Sequence, residues 1–407
     1  MTPDPTAGAP GAVRRVLAVR LDSDGDVLLT GPAVRALARG ADGAPCEVDL
    51  LVSPQGRAAA ALLPGVAQVR VETVPWSGYA PAALDRDAVD GLLAWLRERA
   101  HDEVVVFTSF HQSPLPVALL ARMAGAPFVA GTSEDYPGSL LDVRHRRSGG
   151  ADGSGGGHEV LAALGLVAAT GRAVPDEPRL AVRADLLDAA DAQLPAVPGQ
   201  PERGGDAGGS RGLVALHPGA SVPARAPSPE VAADAAAALL DDGWSVVLTG
   251  SPAEAGLVER VRRLALERCD GSAGERLLDL AGATDLAGLA ALLRRADVVV
   301  VGNTGPAHLA AAVGTPVVSF FSPVVPAERW APWGVPVVLL GDQDAPCALS
   351  RARECPVPGH PCLTVDGRTV AEAVRSVVGV RPGDALWTDE RSAGRAAAAG
   401  ARGGVHP

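Results

Sequence analysis

The sequence predicts an α/β protein built from two doubly wound, parallel-sheet domains, and three observations carry that prediction. Short β-branched runs alternate with alanine- and leucine-rich stretches of helical length through most of the 407 residues, the rhythm of βαβ units whose sheet is covered on both faces. The rhythm halts once, in a stretch rich in Pro, Gly and Gln at 196–212, and then restarts. The run Val298-Val299-Val300-Val301 is apolar at every position, as a strand buried on both faces must be.

In chain order, 16–20, 48–52, 69–71 and 103–107 read as strands, with helices at 26–39, 55–63, 85–99 and 114–124. The basic run Arg144-His145-Arg146-Arg147 leads into a glycine-rich loop at 149–157 and a helix at 158–169; glycine and serine build no core, so the loop reads as surface. After the linker come strands at 213–217, 245–249, 277–280, 297–301 and 315–321. Helices are expected at 229–240, 253–267, 285–295 and 368–378, with another opening at Pro306, where a missing N–H costs nothing. The expected domains are thus 13–195 and 213–380, followed by a tail at 381–407 that loses periodicity and reads as disordered. Two such sheets imply a central cleft at the carboxyl ends of the strands, where open α/β sheets bind ligands.

Composition narrows the function classes. The chain is 47% hydrophobic, with 48 Gly, 35 Pro and 3% aromatic residues, and all 36 of its basic residues are arginine, a coding bias that says little about function. A formal net charge of −11 argues against nucleic acid as a partner, because nonspecific binding needs a basic footprint. No apolar run reaches membrane-spanning length and residues 1–11 lack a signal pattern. The expectation is a cytoplasmic monomer whose membrane contact, if any, is peripheral at the inner face. Cys347, Cys355 and Cys362 cluster near His360; they form no CxxC pair of zinc spacing, and reduced structural cysteines are the preferred reading over a metal site.

Three loops of the second half each follow a strand and carry ligand-binding chemistry. In His217-Pro218-Gly219-Ala220-Ser221 the small residues let backbone approach a ligand, Ser221 offers a hydroxyl, and the following Arg225 suits a phosphate; a plain Pro-Gly turn with a solvated arginine is the alternative. In Gly250-Ser251-Pro252-Ala253-Glu254 the carboxylate can accept from ribose hydroxyls or simply favour the helix N-terminus. In Gly302-Asn303-Thr304-Gly305, Thr304 and Asn303 can cap the next helix, whose free N–H groups and dipole favour an anion. The first half contributes Asp22-Ser23-Asp24-Gly25-Asp26 at the end of its first strand. Crowded carboxylates raise at least one pKa toward general-base range; an N-cap at Asp26 with solvated neighbours, or a divalent-cation site, are the alternatives.

Gly25-Asp26 ahead of an apolar helix, the 217–221 loop, and Gly305-Pro306-Ala307-His308-Leu309-Ala310-Ala311-Ala312 with Gly314-Thr315-Pro316 resemble glycosyltransferase family 9 over roughly residues 13–380. This is the family of bacterial ADP-heptose heptosyltransferases. The resemblance implies a GT-B fold, with an acceptor-side first domain and a nucleotide-sugar domain second. It also implies inverting, metal-independent transfer without a cofactor, from a nucleotide-sugar donor to a glycan or glycolipid acceptor of the cell envelope, as in lipopolysaccharide core assembly. Asp26 then falls on the catalytic aspartate, and Arg225 on a residue, usually lysine, that faces the donor phosphates. Glu254 falls on the ribose carboxylate, and Thr304, Gly305 and His308 on the pyrophosphate turn. Ser221, Gly250 and Asn303 complete the donor-side set, and Asp22, Ser23 and Asp24 are acceptor-side candidates. The chain departs from the family at Asn303, commonly acidic, and at Ala226-Pro227-Ser228, where a tryptophan is usual. A sugar-nucleotide epimerase of the same fold and a non-catalytic nucleotide-sugar-binding protein are the alternatives.

Overall fold

The computed structural model describes residues 13–40, 43–78, 81–109, 112–147, 157–175, 178–197, 211–270 and 273–379. The chain divides into two compact units, Met1–Ala184 and Asp185–Pro407. The first unit contains β1 (Arg15–Arg20), α1 (Asp24–Arg39), β2 (Glu47–Val52), α2 (Arg57–Leu62), β3 (Gln68–Val71), α3 (Arg86–Arg99), β4 (Glu103–Phe107), α4 (Leu115–Ala124), β5 (Phe128–Thr132), β6 (Val143–His145) and α5 (Glu159–Ala169). Helix α6 (Ala184–Asp191) begins at the division. The second unit contains β7 (Leu213–His217), α7 (Pro229–Asp241), β8 (Ser245–Leu248), α8 (Ala255–Leu266), β9 (Leu277–Asp279), α9 (Leu286–Arg295), β10 (Val298–Gly302), α10 (Gly305–Ala312), β11 (Val317–Phe320), α11 (Ala327–Trp330), β12 (Val337–Leu340) and α12 (Gly367–Val377).

Each unit holds a six-stranded sheet, ordered β3-β2-β1-β4-β5-β6 in the first and β12-β11-β10-β7-β8-β9 in the second. Every pairing is parallel. Val16–Val19 of β1 and Val298–Val301 of β10 are wholly buried, as central strands covered by helices on both faces require. The helices start where local chemistry dictates. Asp85 accepts from the N–H groups of Asp87 and Ala88 to cap α3, Ser228 caps α7 through Val231 with Pro229 in the first turn, and Asp285 caps α9 through Gly288.

In both sheets the chain leaves the first strand to one side, and the fourth strand begins on the other. The crests beyond β1/β4 and β7/β10 are therefore the topological switch points at which such sheets bind ligands.

Several elements escaped the sequence pattern: β5, β6, β12, α6 and α11. Helix α1 begins at Asp24, two residues before its expected start, because Ser23 is the N-cap and Asp26 lies inside the first turn. The unit division precedes the expected linker, and α6 is tied into the second unit by ion pairs from Arg294 to Asp188 (2.8 Å) and Arg295 to Asp191 (2.6 Å). Most of that linker, the expected tail at 381–407, and all of the glycine-rich loop except Gly157 lie outside the described residues. Among the described residues no helix is long and apolar enough to cross a membrane.

Candidate functional site

At the switch point of the second sheet, three strand-end turns stand side by side because β8, β7 and β10 are neighbours. After β10 the backbone passes through Asn303 and Thr304 into α10. Thr304 is the N-cap, yet neither it nor Asn303 caps through its side chain, contrary to the sequence expectation, since Thr304 is extended (φ −145°, ψ 173°) with no side-chain cap bond. Asn303 is only 5% exposed, and both its amide oxygen and nitrogen are buried without a partner. Buried amides are normally satisfied, and this one is an exception. His308, one turn into α10, is buried as well.

Gly302 exists for the sake of the neighbouring loop. A Cβ there would stand 2.5 Å from the carbonyl oxygen of Arg225, so only glycine lets the two backbones meet. Arg225 closes a short 3-10 turn, Pro223–Arg225, whose Ala224 N–H donates to the Arg353 carbonyl at 2.8 Å. Its Nε is buried and unpartnered.

On the other flank, Glu254 Oε2 accepts from the Ser251 N–H (2.7 Å) and hydroxyl (2.8 Å), a capping box. Its Oε1 lies so close over Gly219 that a Cβ there would be 2.0 Å away. His217 donates to or accepts from Thr249 Oγ1 at 3.0 Å and has Nε2 3.9 Å from Glu254; burial lowers its pKa, against the pull of Glu254. Gly250 packs against Val258 with no room for a side chain, and Ser221 is exposed. One oxygen of Glu254 thus serves the start of its own helix, the second of the two sequence readings.

At the switch point of the first sheet the organiser is a residue the sequence reading passed over. Arg20, the last residue of β1, is 2% exposed and meets Asp22 through Nε at 2.8 Å, Asp26 through Nη2 at 3.2 Å and Glu159 at 3.7 Å. Glu159 also takes both terminal nitrogens of Arg147, at 2.5 and 2.8 Å. Asp22 accepts further bonds from Ser109 Oγ (3.1 Å) and Gln112 Nε2 (2.5 Å). Burial pushes the Asp22 carboxyl up to about 6, Arg20 pulling it down and Asp26 adding to the rise. The exposed Ser23 donates its hydroxyl to Asp26 Oδ2 at 3.1 Å.

The third aspartate does not join this cluster. Asp24 Oδ1 accepts from the Ala59 N–H at 2.8 Å, one of the unsatisfied donors in the first turn of α2, and burial raises its pKa. The crowding expected of three carboxylates is therefore a matter of two. Arg20 was foreshadowed by a lone arginine closing an apolar strand. Glu159, Arg147, Ser109 and Gln112 carried no local signal, since the network joins residues far apart in sequence.

Among the described residues no group of three or more His, Cys, Asp or Glu side chains is arranged to hold a metal. Cys347 and Cys362 are buried free thiols, and burial with the adjacent Cys347 thiol pushes Cys362 up to about 12.

Comparison with known proteins converges on this fold. The model of glycosyltransferase family 9 (heptosyltransferase) matches residues 92–360. Among solved structures, E. coli ADP-heptose lps heptosyltransferase II superposes with a TM-score of 0.64 at 18% identity, covering 89% of this chain and 98% of that one. A glycosyltransferase family 9 protein from Veillonella parvula gives 0.65 at 17% identity, covering 89% and 97%. E. coli heptosyltransferase WaaC with ADP gives 0.60 at 19% identity, covering 89% and 100%. A search of curated proteins by sequence gives no match. The two parallel-sheet units are those of a GT-B glycosyltransferase. The chain belongs to glycosyltransferase family 9, the heptosyltransferase family, and is an enzyme of the glycosyltransferase class.

Proposed function

We propose that this enzyme moves a heptose from an ADP-linked donor to a cell-envelope glycan or glycolipid by a single, inverting, metal-independent displacement. The observation that carries the reading is the turn Asn303-Thr304-Gly305. It opens α10 at a switch point, with an unspent buried amide and with Arg225 on the adjoining loop. A helix start with free N–H groups and a neighbouring guanidinium suits a pyrophosphate. Two of the structurally similar E. coli enzymes are named for ADP-heptose or bound to ADP.

In the proposed reaction the acceptor hydroxyl gives its proton to Asp26 while its oxygen attacks the anomeric carbon from the face opposite the nucleotide, so configuration inverts once. The bond to the diphosphate breaks, and the charge gathering on the leaving ADP is met by Arg225 and the backbone N–H groups of the 304–306 turn. With that positive potential in place the reaction needs no metal. Ser23 and Arg20 orient the Asp26 carboxylate through the bonds they make to it.

Calorimetric titration with ADP, followed by transfer assays with ADP-heptose over envelope extracts in the presence of a chelator, tests the reading. ADP binding, chelator-resistant transfer and an inverted anomeric product are expected. Isomerisation of the donor without acceptor would instead mark an epimerase, and donor binding with no transfer to any extract a binding protein. Asp26→Asn should lower kcat about 10²- to 10⁴-fold with ADP affinity unchanged, the usual worth of a general base; near-normal turnover would remove Asp26 from the role.

A further inference from the structure

The first unit has a second opening at the foot of its sheet, at the opposite end from Asp22 and Asp26. A cavity of about 250 Å³ lies there, where β4 begins and where α3 and α4 end. That is far more room than the roughly 10–15 Å³ that one water needs. Ala100, Gly125 and Pro127 on its border are exposed, so it opens to solvent. Leu96, Val104, Ala121 and Ala124 give it apolar walls.

The polar groups around this cavity are acceptors. His101, its side chain 2% exposed, brings Nε2 within 2.9 Å of Asp49 Oδ2. An ionised carboxylate can only accept, so in the neutral ring the proton sits on Nε2 and Nδ1 keeps its lone pair. That Nδ1 is buried and without a partner. Asp102 accepts from the Arg15 N–H through Oδ2 at 2.8 Å and brings a negative charge to the border. Ala100 and Gly125 are the C-caps of α3 and α4, so two helices border the cavity with their negative ends. The N–H groups of Ala100, Asp102, Gly125 and Ala126 are spent on the carbonyls of Leu96, Arg15, Arg122 and Ala121. The arginines in the last turns of the two helices are committed as well. Arg99 serves Glu47 and Asp49, and Arg122 serves Asp142 and the carbonyls of Leu140, Ala126 and Pro127.

We propose that this cavity binds a small aliphatic primary amine in its ammonium form, apart from both ligands of the transfer reaction. The alkyl chain covers the apolar walls, and the N–H groups donate to His101 Nδ1 and to the Asp102 carboxylate. An anion of the same size would face Asp102 and two helix C-termini and is excluded.

The test uses the full-length protein at about pH 8, above the ordinary histidine range and below that of a primary amine. n-Pentylammonium, n-pentanol and pentanoate are compared by saturation-transfer NMR and by the change each makes in the urea midpoint. Pentylammonium should bind saturably and raise the midpoint. Pentanol should be weaker by about tenfold, because hydrogen bonds to charged groups outweigh neutral ones, and pentanoate should not bind. Asp102→Asn should narrow the gap between pentylammonium and pentanol. Ala124→Leu, which fills the cavity, should abolish pentylammonium binding, and its ligand-free urea transition shows that it folds. Absence of pentylammonium binding, pentanol or pentanoate binding as tightly, or undiminished binding in Ala124→Leu with an unchanged gap in Asp102→Asn, would overturn the proposal.

Discussion

Asp22 shows how burial outweighs a neighbouring guanidinium. Its carboxyl faces Arg20, Asp26, Ser109 and Gln112 and is raised to about 6 from the ordinary 3.8, with desolvation the largest cause. Between those two values the folded chain binds more protons than the unfolded one, so this residue makes folding less favourable as pH rises through that window. At about 1.4 kcal/mol per pKa unit the penalty at neutral pH is on the order of 3 kcal/mol. Asp22→Asn should therefore flatten the decline of urea-unfolding free energy between roughly pH 4 and 6, and an unaltered slope would contradict the raised pKa. Arg20→Met removes the shared partner of three carboxylates, Glu159 buried and Asp22 and Asp26 partly buried, and truncating a buried pair costs about 3–5 kcal/mol. Urea midpoints measure that loss. The acidic loop was legible in the sequence because its aspartates alternate within five residues. Its control by Arg20, Glu159 and Gln112 was not, because those partners meet only after β1, β4 and α5 have packed together.

At the scale of elements, two glycines distinguish a rigid approach from a yielding one. The Cβ of Gly302→Ala would meet the backbone oxygen of Arg225 at 2.5 Å, which must be pushed aside. Such overpacking costs about 1–3 kcal/mol, and ADP binding should weaken with it. Gly219→Ala would meet only the carboxylate end of Glu254, at 2.0 Å. That side chain can swing away, so the loss should be no more than that of a disrupted N-cap, about 0.5–2 kcal/mol, while binding of the nucleoside weakens. Urea midpoints and ADP titration check both. The central strands were visible in the sequence because burial on both faces leaves an unbroken apolar run, as in β10. Phe128–Thr132 hid because Ala130 and Gly131 interrupt its pattern, the latter packed against Pro114. Val143–His145 hid because its last two residues open the basic run 144–147, which looks like solvated loop.

For the whole molecule, the two units should answer different ligands. ADP is expected to slow amide hydrogen exchange at 217–225, 249–256 and 302–308, as mass spectrometry of peptides would resolve. Protection by ADP confined to the first unit would refute that assignment. The shared strand order gives this partition a further meaning. The crest after the opening strand is the same position in each wiring diagram, yet one copy is furnished with Asp22 and Asp26 and the other with Gly219 and Arg225. Opposite polarity has been written onto one blueprint using a handful of crest positions. Preference for what is given away and for what receives it can then drift separately, and new pairings of the two become reachable by few substitutions.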